Sequence, residues 1–128
     1  MKKLFFIFAV FFSLVGNLFA QSAPQAYIWE VEYVASDKSP YWEDVYGSQT
    51  MTQQDHGGNI YIVVLIVGYS STIVTTFNNQ PLQPYHIQGI DVNGDGSFDA
   101  WRYYYQTYGQ SGYAQVSDFG IKDSIFIK

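Results

Sequence analysis

The chain has 128 residues, no cysteine, and an aromatic content of 20%, with twelve tyrosines and three tryptophans. Without cysteine there can be no disulfide, so apolar burial, hydrogen bonds or a bound ion must stabilise the fold. The net charge of −5 argues against nucleic acid and anionic lipid as partners, because both are bound by clustered positive charge.

Residues 1–20 have the order of a secretory signal: two lysines, a long apolar run, and a small residue at Ala20. The apolar run is shorter than the roughly 20 residues of a membrane-spanning helix, so we expect cleavage after Ala20 and no stable membrane anchor. The protein would then be secreted or periplasmic. Cleavage would leave four basic residues against eleven acidic ones, a net charge of −7.

Residues 21–25 are predicted to be a flexible leader, and residues 26–128 a single domain. The first segment, AYIWEVEYVA, alternates in a period of two and predicts a half-exposed strand. One face would carry Tyr27, Trp29, Val31 and Tyr33. The other would carry Ile28, Glu30, Glu32 and Val34, with both glutamates on a solvated surface.

Further strands are predicted along the rest of the chain. NIYIVVLIVGY is apolar on both faces, as a covered central strand is. Two strands are expected around a turn at residues 78–81, and three more in FDAWRYYYQTYG, GYAQVSDFG and IKDSIFIK. Seven or eight short strands and no helical period predict an all-β protein, a single antiparallel β-sandwich of immunoglobulin-like or similar type, with a small β-barrel as second choice.

The segment GIDVNGDGSFDAW concentrates acids in a chain that has few charges. Oxygen donors recur at every second position, and intervening glycines permit a tightly curved backbone. Calcium takes six to eight hard oxygen ligands, so this pattern predicts a structural Ca²⁺ site. The expected ligands are Asp91, Asn93, Asp95, Ser97 and Asp99.

The pattern D-x-N-G-D-G-x-x-D between strands resembles the calcium loops of FG-GAP repeats. That resemblance implies a metal role for these nine residues and no propeller, because the chain has one copy. An EF-hand would need a glutamate where Arg102 stands. A metal-free hairpin turn is the alternative, since Asn-Gly and Asp-Gly also form turns.

Exposed aromatic residues are the candidate ligand contacts. In WRYYYQTYG, alternation places Trp101, Tyr103 and Tyr105 on one face, and Arg102, Tyr104 and Gln106 on the other. We assign the first row to the core and the second to the surface. The second row either stacks on sugars or a protein, or packs as ordinary tyrosines do, with the hydroxyls at the rim. With two loop aromatics, the candidate ligand-binding residues are Arg102, Tyr104, Trp42 and Tyr41.

No catalytic residue is assigned. The two histidines, His56 and His86, lack the close spacing of a zinc site, and no G-x-S-x-G nucleophile elbow is present. We interpret His56 as a turn residue and His86 as a strand residue. A hydrolase is the least favoured class.

The order DHGGNIYIVVLIVGY, TFNNQPL and terminal KDSIFIK resembles the YolA-like small exported bacterial proteins, a domain of unknown function. The resemblance implies secretion and a β-rich domain, and no activity. We expect a calcium-stabilised binding module for a glycan or protein ligand. A secreted toxin, effector or immunity-type protein is the alternative.

Overall fold

The computed structural model describes residues 26–47 and 49–128. The predicted signal sequence (1–20) and leader (21–25) lie outside these residues. Within the described ranges the chain forms nine β-strands and no helix. Accordingly, no helix in this part of the chain is long and apolar enough to cross a membrane.

The strands follow the predicted segments closely, with two additional short ones. They are β1 (Ile28–Ser36), β2 (Glu43–Asp44), β3 (Gly58–Val67), β4 (Val74–Phe77), β5 (Gln80–Pro81), β6 (His86–Ile90), β7 (Ala100–Gly109), β8 (Gly112–Asp118) and β9 (Ile121–Ile127). The turn predicted at residues 78–81 is tighter in the structure. Asn78 and Asn79 form it, with φ of 50° and 66°, as a hairpin with two left-handed residues requires, while Gln80 and Pro81 already belong to β5.

The strands form two antiparallel sheets. The five-stranded sheet has the order β2-β1-β3-β7-β6, and the four-stranded sheet has the order β9-β8-β4-β5. The sheets stay separate, which confirms the predicted β-sandwich; the second choice, a closed barrel, is wrong.

The core lies between the sheets and is built from alternate residues of their strands. The five-stranded sheet contributes Ile62, Val64 and Tyr105, and the four-stranded sheet contributes Val116 and Ile125. Trp29 and Tyr103 pack at the edge of this core. The predicted core face of β7 is therefore confirmed, and its other face points away from the second sheet.

Strand β1 departs from the predicted alternation. Its pairing with β3 shifts register between Val31 and Tyr33, so Glu32 is an extra residue in a β-bulge. The bulge moves Tyr33 to the outer face and Val34 into the core. The prediction that Glu32 lies on a solvated surface is wrong, because only 6% of the residue is exposed.

Candidate functional site

A line of large side chains crosses the outer face of the five-stranded sheet. Tyr33 lies opposite Val63, Val63 opposite Tyr104, and Tyr104 opposite His86. Directly opposed residues of antiparallel strands project to the same face, so these four side chains form a line perpendicular to the strands. Trp42, which immediately precedes β2, extends it. We call Trp42, Tyr33, Val63, Tyr104 and His86 the aromatic row.

The rings of the aromatic row contact one another. The centroids of Trp42 and Tyr33 are 6.4 Å apart, and those of Tyr104 and His86 are 5.2 Å apart. Tyr85 adds a third contact, 6.2 Å from Tyr104. All three pairs are tilted and lie within the usual range of aromatic pairs. Each ring is thus held in place by a neighbour.

A cavity of about 380 Å³ opens in the middle of the aromatic row, lined by Tyr33, Trp42, Val63, Arg102 and Tyr104. Three of the four predicted ligand-binding residues therefore meet at one place. Val63 is 1% exposed and Trp42 is 49% exposed, so the rings form the walls above an apolar floor.

Arg102 binds Glu32 through two hydrogen bonds. Arg102 Nε donates to Glu32 Oε1 at 2.8 Å, and Arg102 Nη2 donates to Glu32 Oε2 at 3.2 Å. The hydrogen bond to Glu32 raises the pKa of Arg102, against the opposing effect of burial. The guanidinium also lies 5.9 Å from the centroid of Tyr33. Arg102 therefore positions the Tyr33 ring, and Glu32 neutralises the positive charge of Arg102.

The same carboxylate affects Tyr33 directly. The negative charge of Glu32, followed by burial, raises the pKa of the Tyr33 hydroxyl. Tyr33 is therefore a neutral phenol at physiological pH, able to donate and accept hydrogen bonds.

The fourth predicted ligand residue, Tyr41, does not line this cavity. It lies beside an adjacent concavity of about 240 Å³, which shares Trp42 with the first. Tyr41 is 88% exposed. It therefore extends the aromatic surface beyond Trp42.

The predicted calcium loop, residues 91–99, connects β6 and β7, as the sequence predicted. Asp91 organises it: Oδ1 accepts the N–H groups of Gly94 and Asp95, and Oδ2 accepts that of Gly96. Gly94 and Gly96 have φ of 76° and 89°, a conformation that favours glycine. Asp99 Oδ1 accepts the N–H of Val92 at 2.8 Å.

Four of the five predicted calcium ligands surround one cavity of about 250 Å³: Asn93, Asp95, Ser97 and Asp99. Asp91 does not line it. Among the described residues, no group of three or more His, Cys, Asp or Glu side chains is arranged to hold a metal. The hard oxygen donors suit calcium chemically, and the carboxylates here support the loop backbone.

His56, interpreted from the sequence as a turn residue, lies in a loop and is 3% exposed. Its Nδ1 is 2.9 Å from Ser36 Oγ, and its Nε2 is 3.1 Å from Glu43 Oε1. Burial raises the pKa of Glu43, but hydrogen bonds from the Gln53 and Gln54 backbone and from His56 outweigh it, so the pKa lies below its usual value. We call Ser36, His56 and Glu43 the buried network.

The buried network resembles a catalytic triad in composition but lacks a free nucleophile. Ser36 is 2% exposed, and its Oγ accepts the N–H groups of Ser39 and Gly57. Its hydroxyl faces His56 Nδ1, and the other ring nitrogen of His56 faces Glu43. This geometry ties the His56 loop to the ends of β1 and β2 and exposes no attacking oxygen.

The sequence pattern did not indicate the roles of Tyr33 and Glu32 or the partners of His56. A single bulge brought Tyr33 to the outer face and left Glu32 bound to Arg102, and the alternation of residue types carries no sign of it. Ser36 and Glu43 are 20 and 13 residues from His56. The one available signal was His56 itself, a titratable residue preceding two glycines.

These features define an antiparallel β-sandwich with an open aromatic face and a hydrogen-bonded acidic hairpin loop. Residues 21–125 match the family described as domain of unknown function DUF4879. The chain therefore belongs to this family. No curated protein and no solved structure matches the chain.

Proposed function

We propose that the protein is a binding module whose ligand contacts the aromatic row. The single observation behind this proposal is the cavity between Tyr33, Trp42, Arg102 and Tyr104. Aromatic rings give large contact area for little conformational entropy, which is why they dominate recognition surfaces. Arg102 keeps 30% of its side chain exposed, so its outer edge is available to the same ligand.

The ring contacts also support this role. Free rotation of an exposed tyrosine or tryptophan would have to be lost on binding, at a cost in affinity. In this face the tilted Trp42–Tyr33 and Tyr104–His86 pairs restrict the rings before a ligand arrives. The Tyr104 hydroxyl is likewise held by a 3.0 Å hydrogen bond to Gln88. The surface is therefore pre-organised.

We further propose that calcium stabilises the 91–99 loop. Asn93, Asp95, Ser97 and Asp99 share a cavity and offer oxygen donors, and an ion there would reduce the repulsion between the acids. Asp91 would act from outside the cavity, by shaping the backbone that presents the other four. Because β7 follows this loop directly, the ion would stabilise the strand that carries Arg102 and Tyr104.

The proposal includes export. The signal-like residues 1–20 support a secreted or periplasmic location. Calcium sites of extracellular modules are weak, because millimolar calcium is enough to fill them. Within DUF4879, we propose the YolA-like branch, on the motifs in residues 55–69, 76–82 and 122–128.

The test is a comparative screen of residues 21–128 against immobilised glycans and immobilised extracellular proteins, beside the Trp42→Ala/Tyr104→Ala double variant. We expect at least one ligand that the unmodified protein retains and the variant loses, with both showing the same melting temperature within a few degrees. If every ligand is bound equally by both proteins, the aromatic row is not the binding surface.

A further inference from the structure

The direction of the aromatic row constrains the shape of its ligand. Tyr33, Val63, Tyr104 and His86 belong to four adjacent strands. Adjacent strands lie about 4.8 Å apart, so the row covers about 14 Å across the sheet. A peptide that added to the sheet would run along an edge strand instead. The row therefore fits an extended ligand that lies across the strands.

The charges on this face constrain the ligand further. Glu32 neutralises Arg102, and Asp44 lies opposite Tyr33 at the margin of the sheet. Arg102 is the one basic residue among the described residues that line the cavity. A phosphate, sulfate or carboxylate ligand would need an uncompensated cation to offset its desolvation. The face is therefore adapted to a ligand without negative charge.

Neutral hydrogen-bonding groups flank the rings. Gln88 accepts the Tyr104 hydroxyl through Oε1, and Gln106 donates through Nε2 to Asn59. In the described chain these contacts use one end of each amide, which leaves the Gln88 nitrogen and the Gln106 oxygen for a ligand. Rings flanked by neutral amides suit the hydroxyl groups and apolar C–H faces of sugars.

The size and depth of the cavity favour a sugar over a protein surface as the ligand. Its volume of about 380 Å³ lies at the small end of ligand pockets, about 300–1,000 Å³. A stable protein interface instead needs about 800 Å² of contact on each partner. The floor, Val63, is recessed beneath the rings, so a flat partner would not reach it.

We propose that the aromatic row binds an uncharged polysaccharide, whose chain lies across β1, β3, β7 and β6 and stacks its pyranose rings on Trp42, Tyr33 and Tyr104. This inference rests on the proposed function and specifies its ligand class. Arg102 is a positioning residue that holds Tyr33. The polar amides of Gln88 and Gln106 bind sugar hydroxyls.

The test is affinity gel electrophoresis of residues 21–128 in gels that contain hydroxyethylcellulose, xylan or laminarin as neutral polymers, and polygalacturonate as the anionic one. Glycol chitosan beads test a cationic polymer. We expect at least one neutral polymer to retard the protein, with an affinity that is the same at low and high salt.

The variants are Trp42→Ala and Tyr104→Ala, with Tyr113→Ala as the matched control. Tyr113 is an exposed tyrosine, 53% accessible, on the opposite sheet. Loss of one stacking ring should weaken binding about tenfold, which corresponds to about 1.4 kcal/mol. Tyr113→Ala should bind like the unmodified protein. Circular dichroism melts verify that each variant is folded.

Three outcomes would overturn the inference, and they separate it from the proposed function. Binding to polygalacturonate or glycol chitosan alone, lost in Trp42→Ala, would reject a neutral ligand and keep the binding module. If a protein ligand loses binding in Tyr104→Ala and no polysaccharide binds, the polysaccharide inference is wrong and the binding module is kept. If no glycan or protein depends on Trp42 or Tyr104, both proposals are wrong.

Discussion

The buried network and the aromatic row both combine polar and aromatic chemistry, yet they use their hydrogen-bonding capacity in opposite ways. Ser36, His56 and Glu43 direct their donors and acceptors at one another and at the backbone. Tyr104 and Trp42 expose ring surface and leave neighbouring amide groups available. Residue types suggestive of catalysis are thus engaged in structural hydrogen bonds in the buried network, while residue types typical of packing stay exposed in the aromatic row.

The largest expected effect is on stability, from His56→Ala. Removing the imidazole leaves a buried cavity and takes one hydrogen-bond partner from Ser36 Oγ and one from Glu43 Oε1, so we expect a loss of about 3 kcal/mol in the free energy of unfolding. The exposed His86 is the matched control, and His86→Ala should cost less than about 1 kcal/mol. Urea denaturation of both variants measures the difference. Equal losses would mean that the buried network has no special structural role.

The acidic loop shares features with both the buried network and the aromatic row, because its carboxylates accept backbone hydrogen bonds and also border a cavity. A calcium site with a dissociation constant of about 10⁻⁴ M would add about 2.7 kcal/mol to the free energy of unfolding when the calcium concentration is a hundredfold above that constant. We expect the melting temperature of residues 21–128 to rise by several degrees in calcium, with little response to magnesium.

The calcium prediction has its own matched variant. Asp95→Asn keeps the shape of the side chain and its oxygen acceptor for the Ser97 N–H, but it removes a charge from the cavity. The calcium response should fall sharply in this variant while the melting temperature in chelator stays close to that of the unmodified protein. Identical melts of the unmodified protein in calcium and in chelator would reduce the loop to a metal-free turn.

The buried network should also produce acid sensitivity. The pKa of Glu43 in the folded protein lies below its usual 4.5. The unfolded chain therefore takes up the proton first, and the contribution of Glu43, complete above pH 4.5, is lost as the pH falls through the folded pKa. The free energy of unfolding should drop over this interval. In Glu43→Gln, stability should be lower at pH 7 and fall less steeply, which denaturation curves at several pH values would show.

The smallest expected effect concerns Asp123, whose contribution to stability changes with pH in the opposite direction to that of Glu43. Burial raises its pKa, although the Val31 N–H, donating to Oδ2 at 3.0 Å, acts to lower it. Because the folded state binds this proton more tightly, the charged carboxylate costs stability above its raised pKa, and stability recovers as the pH falls through it. Asp123→Asn should raise the melting temperature slightly at pH 7, with less gain in acid. A lower melting temperature at pH 7 would contradict this.

Much of the fold followed from the sequence because period-two alternation reports directly which side chains face a core. The alternation of β7 separated Tyr105 from Tyr104 correctly, and two consecutive asparagines marked the turn after β4. In the candidate site, Trp42, Arg102 and Tyr104 were chosen from residue type and from the exposure that the sequence pattern predicts, and the structure brings them together.

The features that the sequence did not predict depend on contacts between residues far apart in the chain. The bulge at Glu32 reverses the face of Tyr33, and a reversal of this kind is decided by pairing with β3 and by the partner Arg102, 70 residues away. The burial of His56 depends on Ser36 and Glu43 from two other elements. Local residue patterns contain neither of these contacts, so the sequence could not predict them.

The most direct test of binding at the aromatic row is an NMR titration of isotope-labelled residues 21–128 with soluble neutral oligosaccharides derived from cellulose, xylan and laminarin. We expect at least one of them to shift the Trp42 indole N–H and the ring signals of Tyr33 and Tyr104, while Tyr113 on the other sheet stays unchanged. Shifts confined to the four-stranded sheet, or no shifts with any of these sugars, would contradict it.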